Sequence, residues 1–350
     1  MQLVQSLSQC WSELRAAQPH LRIRNAAAQL GVSEAELLAT QTGDSVTRLR
    51  PEFTAILSEV ESLGKVMALT RNEEVVHERK GVYLNPSFDN PHVGLFVGED
   101  IDLRIFLRPW AFAFAVTEMV QEKPRHSLQF FAHDGEAIHK IYLTPASNVA
   151  AFTELVARFR DEAASAEIGV RPAPAAEVEK PDAEIDVEAF RKGWVELKDT
   201  HDFFGLVRQH GLTRTQALRL APEGNYATPV QPVSVRKTLE AASATGTPIM
   251  AFVGNKGMIQ IHTGPVKHLL DRDGWFNVMD PDFNLHIKEA GITQCWVVRK
   301  PTTDGVVTAL ECFNAAGEQV LQLFGKRKPG IPELATWQEL IAEVETAWAK

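Results

Sequence analysis

A chain of 350 residues, 45% apolar and 23% charged, is long enough for about two domains and apolar enough to bury a large core. Its formal net charge of −9 argues against a polyanion such as nucleic acid as the main partner, while leaving room for a local basic pocket. The N-terminus carries no basic segment followed by an apolar run, and no apolar run approaches the ~20 residues of a membrane span, so the chain reads as cytoplasmic with no membrane insertion.

In chain order, WSELR from Trp11 and LGVSEAELLA from Leu30 are helical segments, and LGKVMALTRN from Leu63 and SLQFFAHDGEAIHKIYL from Ser127 follow as strands. Residues 163–186 are rich in Ala, Pro and Glu without apolar periodicity and read as a linker. Beyond it, EAFRKGWVELK is a helix. THDFFGLVRQHG is a second, with Asp199 or Thr200 expected as N-cap and Gly211 as the C′ stop. Thr213 caps a third, RTQALRL. PIMAFVGN, GMIQIHTG, FNLHIKE, TQCWVVRK, VVTALECFN and EQVLQLFG read as strands joined by turns, and ATWQELIAEVETAW as a closing helix. Strands in sequence joined by short turns imply an antiparallel sheet and an α+β class.

The two sides of the linker match each other. WSELR aligns with WVELK at Trp194, LGVSEAELLA with HGLTRTQALR, LGKVMALTRN with TGTPIMAFVGN, and SLQFFAHDGEAIHKIYL with ALECFNAAGEQVLQLF, all at offsets of 180 to 183 residues. So constant an offset means a tandem duplication: 1–162 is one copy, 163–186 the linker and 187–350 the second copy.

Familiar catalytic constellations are missing: there is no P-loop, dinucleotide fingerprint, HExxH or GxSxG, and GNKG from Gly254 is a hairpin turn. Cys10, Cys295 and Cys312 have no CxxC spacing and read as small buried hydrophobes. VRQHGLTRTQALRL has the outline of a DNA-reading helix-turn-helix, but its partner LGVSEAELLA has two Glu where such a helix meets phosphates. His201 differs from Leu21, which stands opposite it when Gly31 and Gly211 are aligned. It is either a capping-turn histidine or a neutral imidazole for a metal.

THDFF with HGLTRTQALRLAP, the linker-separated halves, DLRIFL, FFAHDGEAIHKIYL and the terminal QLFGKRKPG resemble the cytoplasmic hemin-degrading factors, the haem-utilisation proteins of the HemS/ChuS/HmuS/PhuS type found in Gram-negative bacteria. The resemblance covers essentially the whole chain. It implies two similar halves, with large antiparallel sheets stacked at the centre, flanking helices and one haem in a cleft where the halves meet. It also implies His201 as axial iron ligand, Arg104 of DLRIFL on the haem's opposite side, and Arg214, Lys300, Gln322 and Arg327 at the propionates. Two positions depart from the family pattern. Phe324 stands where a tyrosine is frequent, which removes one hydrogen bond to the haem edge, and Phe204 stands where some members have a second histidine.

The chemistry suits a flat apolar disc with two carboxylates, which needs an apolar slot, a neutral imidazole and cations at its rim. Taken singly, each of these cations reads as a solvated surface charge. Arg104 stays protonated and can stabilise negative charge developing beside the iron. The implied function is degradation of imported haem by oxygen activated on the bound iron, with electrons from an external donor or reductase. The alternative is a haem chaperone that passes haem from an ABC transporter to a separate haem oxygenase.

Overall fold

The computed structural model describes residues 5–173, 175, 177–328 and 330–350. The chain forms two compact units. Unit 1 comprises Met1–Thr70, Glu78–Pro174 and Asn255–Ile259, and unit 2 comprises Arg71–His77, Ala175–Gly254 and Gln260–Lys350.

Unit 1 opens with three helices, α1 (Leu7–Ala17), α2 (Ile23–Leu30) and α3 (Glu34–Ala39). Ser6 and Ser33 start α1 and α3 with reciprocal capping boxes to Gln9 and Glu36. Gly31 ends α2 in the left-handed region at φ +68. Then come β1 (Val46–Leu49), α4 (Phe53–Glu59), β2 (Gly64–Arg71), β3 (Val75–Gly81), β4 (Pro86–Ser87), β5 (Gly94–Val97), β6 (Asp102–Ile105), β7 (Trp110–Val120), β8 (Lys123–Ala132), β9 (Ala137–Ser147) and α5 (Val149–Phe159). Strand neighbours run β1-β7-β8-β9-β2-β3, and β4-β5-β6 form a meander. One sheet face packs Ile56 and Leu57 of α4 and Phe152 and Leu155 of α5 over Val66, Ala68, Phe130 and Ile141. The other packs Ala35, Leu38 and Ala39 of α3 over Phe112, Phe114 and Phe131.

Unit 2 repeats this order: α6 (Val187–Val195), α7 (Asp202–Gln209), α8 (Arg214–Arg219), β10 (Ala227–Val230), α9 (Ser234–Thr245), β11 (Ile249–Asn255), β12 (Met258–Gly264), β13 (Leu269–Arg272), β14 (Trp275–Met279), β15 (Phe283–Ile287), β16 (Gln294–Thr302), β17 (Gly305–Phe313), β18 (Gln319–Gly325) and α10 (Ala335–Trp348). Its strands neighbour one another as β10-β16-β17-β18-β11-β12, with β13-β14-β15 as the meander, so the duplication extends to sheet order. The pairs are antiparallel, as in Leu310 opposite Leu323 between β17 and β18. The α+β class and the duplicated antiparallel architecture expected from sequence are what the chain adopts.

The central strands of unit 2, β16 to β18, are packed on both faces. Val297, Leu310, Leu321 and Leu323 meet Val235 and Leu239 of α9 and Trp337 and Ile341 of α10. On the opposite face Val298 and Phe313 meet Phe190, Trp194, Phe203 and Leu218 of α6–α8. Each such side chain contributes about 1.5–3 kcal/mol on leaving water. Gly325 lets α10 close down, because a Cβ there would stand 2.5 Å from the Trp337 ring.

Several expectations need correction. The N-cap of α7 is His201 itself, not Asp199 or Thr200, although Asp199 still supplies the side-chain acceptor. Gly211 does stop the helix, at φ +63, and Thr213 does cap α8 by accepting from Gln216 N. The stretch read as a linker makes local contacts. Ile168 and Val170 pack on unit 1, while Glu179 and Asp182 accept hydrogen bonds from α8 in unit 2. Cys295 and Cys312 are buried as expected, but Cys10 is only half-buried.

Candidate functional site

His201 stands at the head of α7 with 90% of its side chain exposed. Asp199, two residues earlier, accepts from the His201 backbone N–H at 2.8 Å and from ring Nδ1 at 2.6 Å. An aspartate folding back on the chain two residues later is a short-range turn device. An ionised carboxylate only accepts, so this bond assigns the proton to Nδ1 and leaves the Nε2 lone pair available. The His201 backbone N–H, then the ring, hold the Asp199 carboxyl below the usual range, with Arg327 adding to the effect. The segment is tied down by Thr303 N, which donates to Lys198 O at 3.0 Å. Phe204, three residues after His201 and hence on the same side of α7, is 72% exposed.

Arg327, just past β18, lies 3.7 Å from Asp304. Its buried Nε has no hydrogen-bond partner among the described residues. A buried N–H without an acceptor is costly, so this donor is ready for a ligand oxygen.

Behind α7, one sheet face carries Lys300, Glu311, Gln322 and Phe324. Glu311 stands opposite Gln322, and Phe324 follows two residues along β18. Glu311 is fully buried. Arg214, the first residue of α8, donates to it from Nε at 3.0 Å and Nη2 at 2.6 Å. Lys300 Nζ and Gln319 Nε2 each donate at 2.8 Å. Burial alone would raise the Glu311 carboxyl, but the Arg214 and Lys300 charges hold it at about 2. Burial, then the Arg214 charge, lower Lys300 to about 8 although Glu311 opposes the shift. Lys300 is therefore not the solvated charge it would be by default: its side chain is 4% exposed. The bond to Glu311 occupies the Nε/Nη2 edge of Arg214 and leaves the Nη1 edge for a second partner. Two cations meet one carboxylate here, so the cluster carries an excess positive charge suited to an anion.

The Phe203 ring lies under both cations, 4.5 Å from Arg214 Cζ and 5.0 Å from Lys300 Nζ. The Phe324 ring sits 5.0 Å from Phe252. The structure thus brings Arg214, Lys300, Gln322 and Phe324 to one face of unit 2, with His201 and Arg327 at its margin. Arg104 belongs to β6 of unit 1, where it pairs with Asp102 and sits in register with Leu95. His210 caps the far end of α7 with its ring 5.7 Å from Phe190.

Glu311 and Phe203 were not singled out from sequence, and Asp199 was read only as a helix cap. Asp199 had a signal, an aspartate two residues before an unexplained histidine. Glu311 had a weaker one, a lone charge inside the otherwise apolar run VVTALECF. The helix-turn-helix reading fails on burial. Helix α8 is six residues long, and Thr215, Gln216, Ala217 and Leu218 are buried. Among the described residues no helix is long and apolar enough to cross a membrane, and no cluster of three or more His, Cys, Asp or Glu could hold a metal ion.

The chain is similar to known proteins along nearly its whole length. The haemin-degrading HemS/ChuX domain matches twice, over residues 31–159 and 211–344. The hemin transport protein HmuS of Yersinia pestis is 39% identical over 343 residues, 97% of each chain, and the hemin transport protein HemS of Yersinia enterocolitica is 38% identical over 340 residues, again 97% of each. Among solved structures, holo-PhuS, a heme-binding protein from Pseudomonas aeruginosa, is 49% identical with a TM-score of 0.93, covering 95% of this chain and 96% of its own. ChuS, described as an E. coli heme oxygenase, is 35% identical with a TM-score of 0.87, covering 97% and 99%.

Proposed function

The chain belongs to the haemin-degrading HemS/ChuX family, and from that premise we propose that it binds haem in the cytoplasm through His201 and opens the ring of imported haem to release iron. The observation that carries this reading is the exposed His201 imidazole, its Nδ1–H held by Asp199 and its Nε2 left to ligate. Histidines on metals commonly donate the second ring N–H to a carboxylate, which sets ring orientation and strengthens the ligand.

The surroundings fit the group. Exposed Phe204 offers apolar surface beside the imidazole, the orphaned Arg327 Nε offers a donor, and the excess positive charge at Glu311 suits propionates. Bound haem supplies the redox-active iron, and the electrons come from an external donor. The protein's residues bind and orient: His201 holds the iron, Arg327 Nε and the Nη1 edge of Arg214 take propionate oxygens, Lys300 adds charge from behind, and Gln322 and Phe324 border the disc. Arg104, which the family resemblance points to and which is permanently charged, would supply a cation able to stabilise negative charge on the bound group.

A second reading, delivery of intact haem to a separate oxygenase, is favoured by the same 90% exposure, which leaves the imidazole open to an incoming competitor. Purified protein with haem and a reductant, with and without catalase, separates the two. A linear tetrapyrrole formed despite catalase supports ring opening. An unchanged Soret band with fast transfer to an oxygenase supports delivery. His201→Ala is expected to shift the haem absorption bands, and unchanged bands would remove His201 from the iron.

A further inference from the structure

We infer that Glu311 is a positioning residue for the axial histidine, acting through Arg214, Lys300 and Phe203; this rests on the reading of His201 as iron ligand. Helix α7 carries His201 at its cap and Phe203 two residues later. Phe203 is fully buried, with the Trp194 ring edge-on at 4.3 Å on one side and the Arg214 and Lys300 cations over its π-system. Cations attract the ring's negative face, and more strongly away from water. Both cations are in turn fixed by one carboxylate, which receives Arg214 through two bonds and Lys300 through a third. Residues on β16, β17 and α8 thus clamp the first turn of α7. The head of that turn is exposed, so little else besides Asp199 and the Lys198–Thr303 bond restrains it.

Removing the Glu311 charge unseats both cations from the Phe203 ring and lets the first turn of α7 rotate. The imidazole then meets the iron less often in ligating geometry. Loss of a supporting group around a metal ligand commonly lowers affinity roughly ten- to hundredfold. A different role would be to orient Arg214 toward a propionate without any effect on α7, and the two separate by the haem used.

The test titrates haem, and haem with both propionates esterified, into full-length wild type, Glu311→Gln, Glu311→Asp, His201→Ala and the Glu311→Gln/His201→Ala double variant. Glu311→Gln is expected to weaken binding roughly tenfold or more with both haems and to alter the axial-ligand bands. Glu311→Asp recovers part of the loss, and with the diester, which removes the propionate contacts of Arg214 and Lys300, Glu311→Gln adds nothing in the His201→Ala background. A loss that vanishes with the diester, or that with the diester adds in full to that of His201→Ala, overturns the inference. Should Glu311→Gln not fold, Phe203→Leu keeps both charges and is expected to give the same altered bands; wild-type bands and affinity there overturn the inference too. If His201→Ala itself leaves the bands unchanged, the ligand assignment falls, whatever Glu311→Gln does.

Discussion

The start of α2 and the start of α7 are the same place in two copies of one scaffold. In unit 1, Leu21 packs with Trp11, Ala26 and Leu37 and closes the helical layer. In unit 2, His201 occupies that place with its side chain in solvent, its backbone N–H and Nδ1 both held by Asp199. Both helices end alike, at Gly31 and Gly211 in the left-handed region. The scaffold is constant and one position carries an exposed imidazole where its counterpart is a packed leucine, so the copies agree where packing decides and differ at that point.

The polar interiors teach the same lesson. Glu34 and Arg214 are the first residues of α3 and α8, while Lys140 of β9 and Gln322 of β18 are strand counterparts, as are Gln129 and Glu311. At the corresponding place unit 1 sets one cation on one carboxylate, with Glu34 paired to buried Lys140. Burial alone would lower Lys140, but the Glu34 carboxylate and nearby groups raise it. Unit 2 sets two cations on one carboxylate. The largest expected effect follows. Lys140→Met alone strands a buried carboxylate and costs about 3–5 kcal/mol, whereas Glu34→Leu with Lys140→Met returns unit 1 to near wild-type stability. The matching swap in unit 2, Arg214→Met with Glu311→Leu, leaves Lys300 buried without its carboxylate and stays destabilised. Urea midpoints for the three variants and wild type check this, and a unit 2 swap as stable as the unit 1 swap would break the contrast.

Acid separates the units next. The folded pKa of Glu311, about 2, lies below the ordinary 4.5, so the unfolded chain binds more protons between these values and stability rises with pH through that window. The contribution is full above pH 4.5 and is lost as pH falls through about 2. Between pH 5 and pH 3 wild type is expected to lose about 2 kcal/mol that Glu311→Gln does not lose. Parallel acid profiles for the two proteins would mean that Glu311 is less firmly held than its bonds suggest.

Much of this was legible in the chain itself. The constant offset between halves gave the duplication, because packing constrains the same positions twice. Runs such as VVTALECFN and EQVLQLFG were readable as strands, and Gly211 and Thr213 as helix punctuation, since each carries a local signal. Helix α9 was missed because it starts at Val233 without a side-chain cap and is rich in small residues. β13 and β14 were missed because β13 is mostly exposed, although Asp273 and Gly274 between them have the positive φ of a tight hairpin. At the site, His201 surfaced only by comparison with Leu21, since a lone histidine has no pattern. Glu311 stayed hidden because its meaning lies in partners 97 and 11 residues away in sequence, at Arg214 and Lys300.

The smallest effect concerns the segment read as a linker. Its Pro- and Glu-rich composition has no apolar stripe, and composition could not reveal that α8 offers it partners. Glu179 accepts from Thr213 and Thr215 hydroxyls at 2.9 and 3.2 Å and from Arg219 at 3.0 Å, and Asp182 accepts from Gln216 at 2.7 Å. Unit 1 holds the other end through Arg171 N, which donates to His133 O at 2.7 Å. Half-exposed ion pairs are worth little, so Glu179→Ala is expected to cost about 0.5–1 kcal/mol of unit 2 stability. Local release should exceed the global loss, because a strand of chain held by a few polar bonds opens at low cost. Limited proteolysis is therefore expected to cut between residues 175 and 186 several times faster in Glu179→Ala, with the urea midpoint nearly unchanged. Equal cleavage rates in the two proteins would return the segment to the free tether its composition suggests.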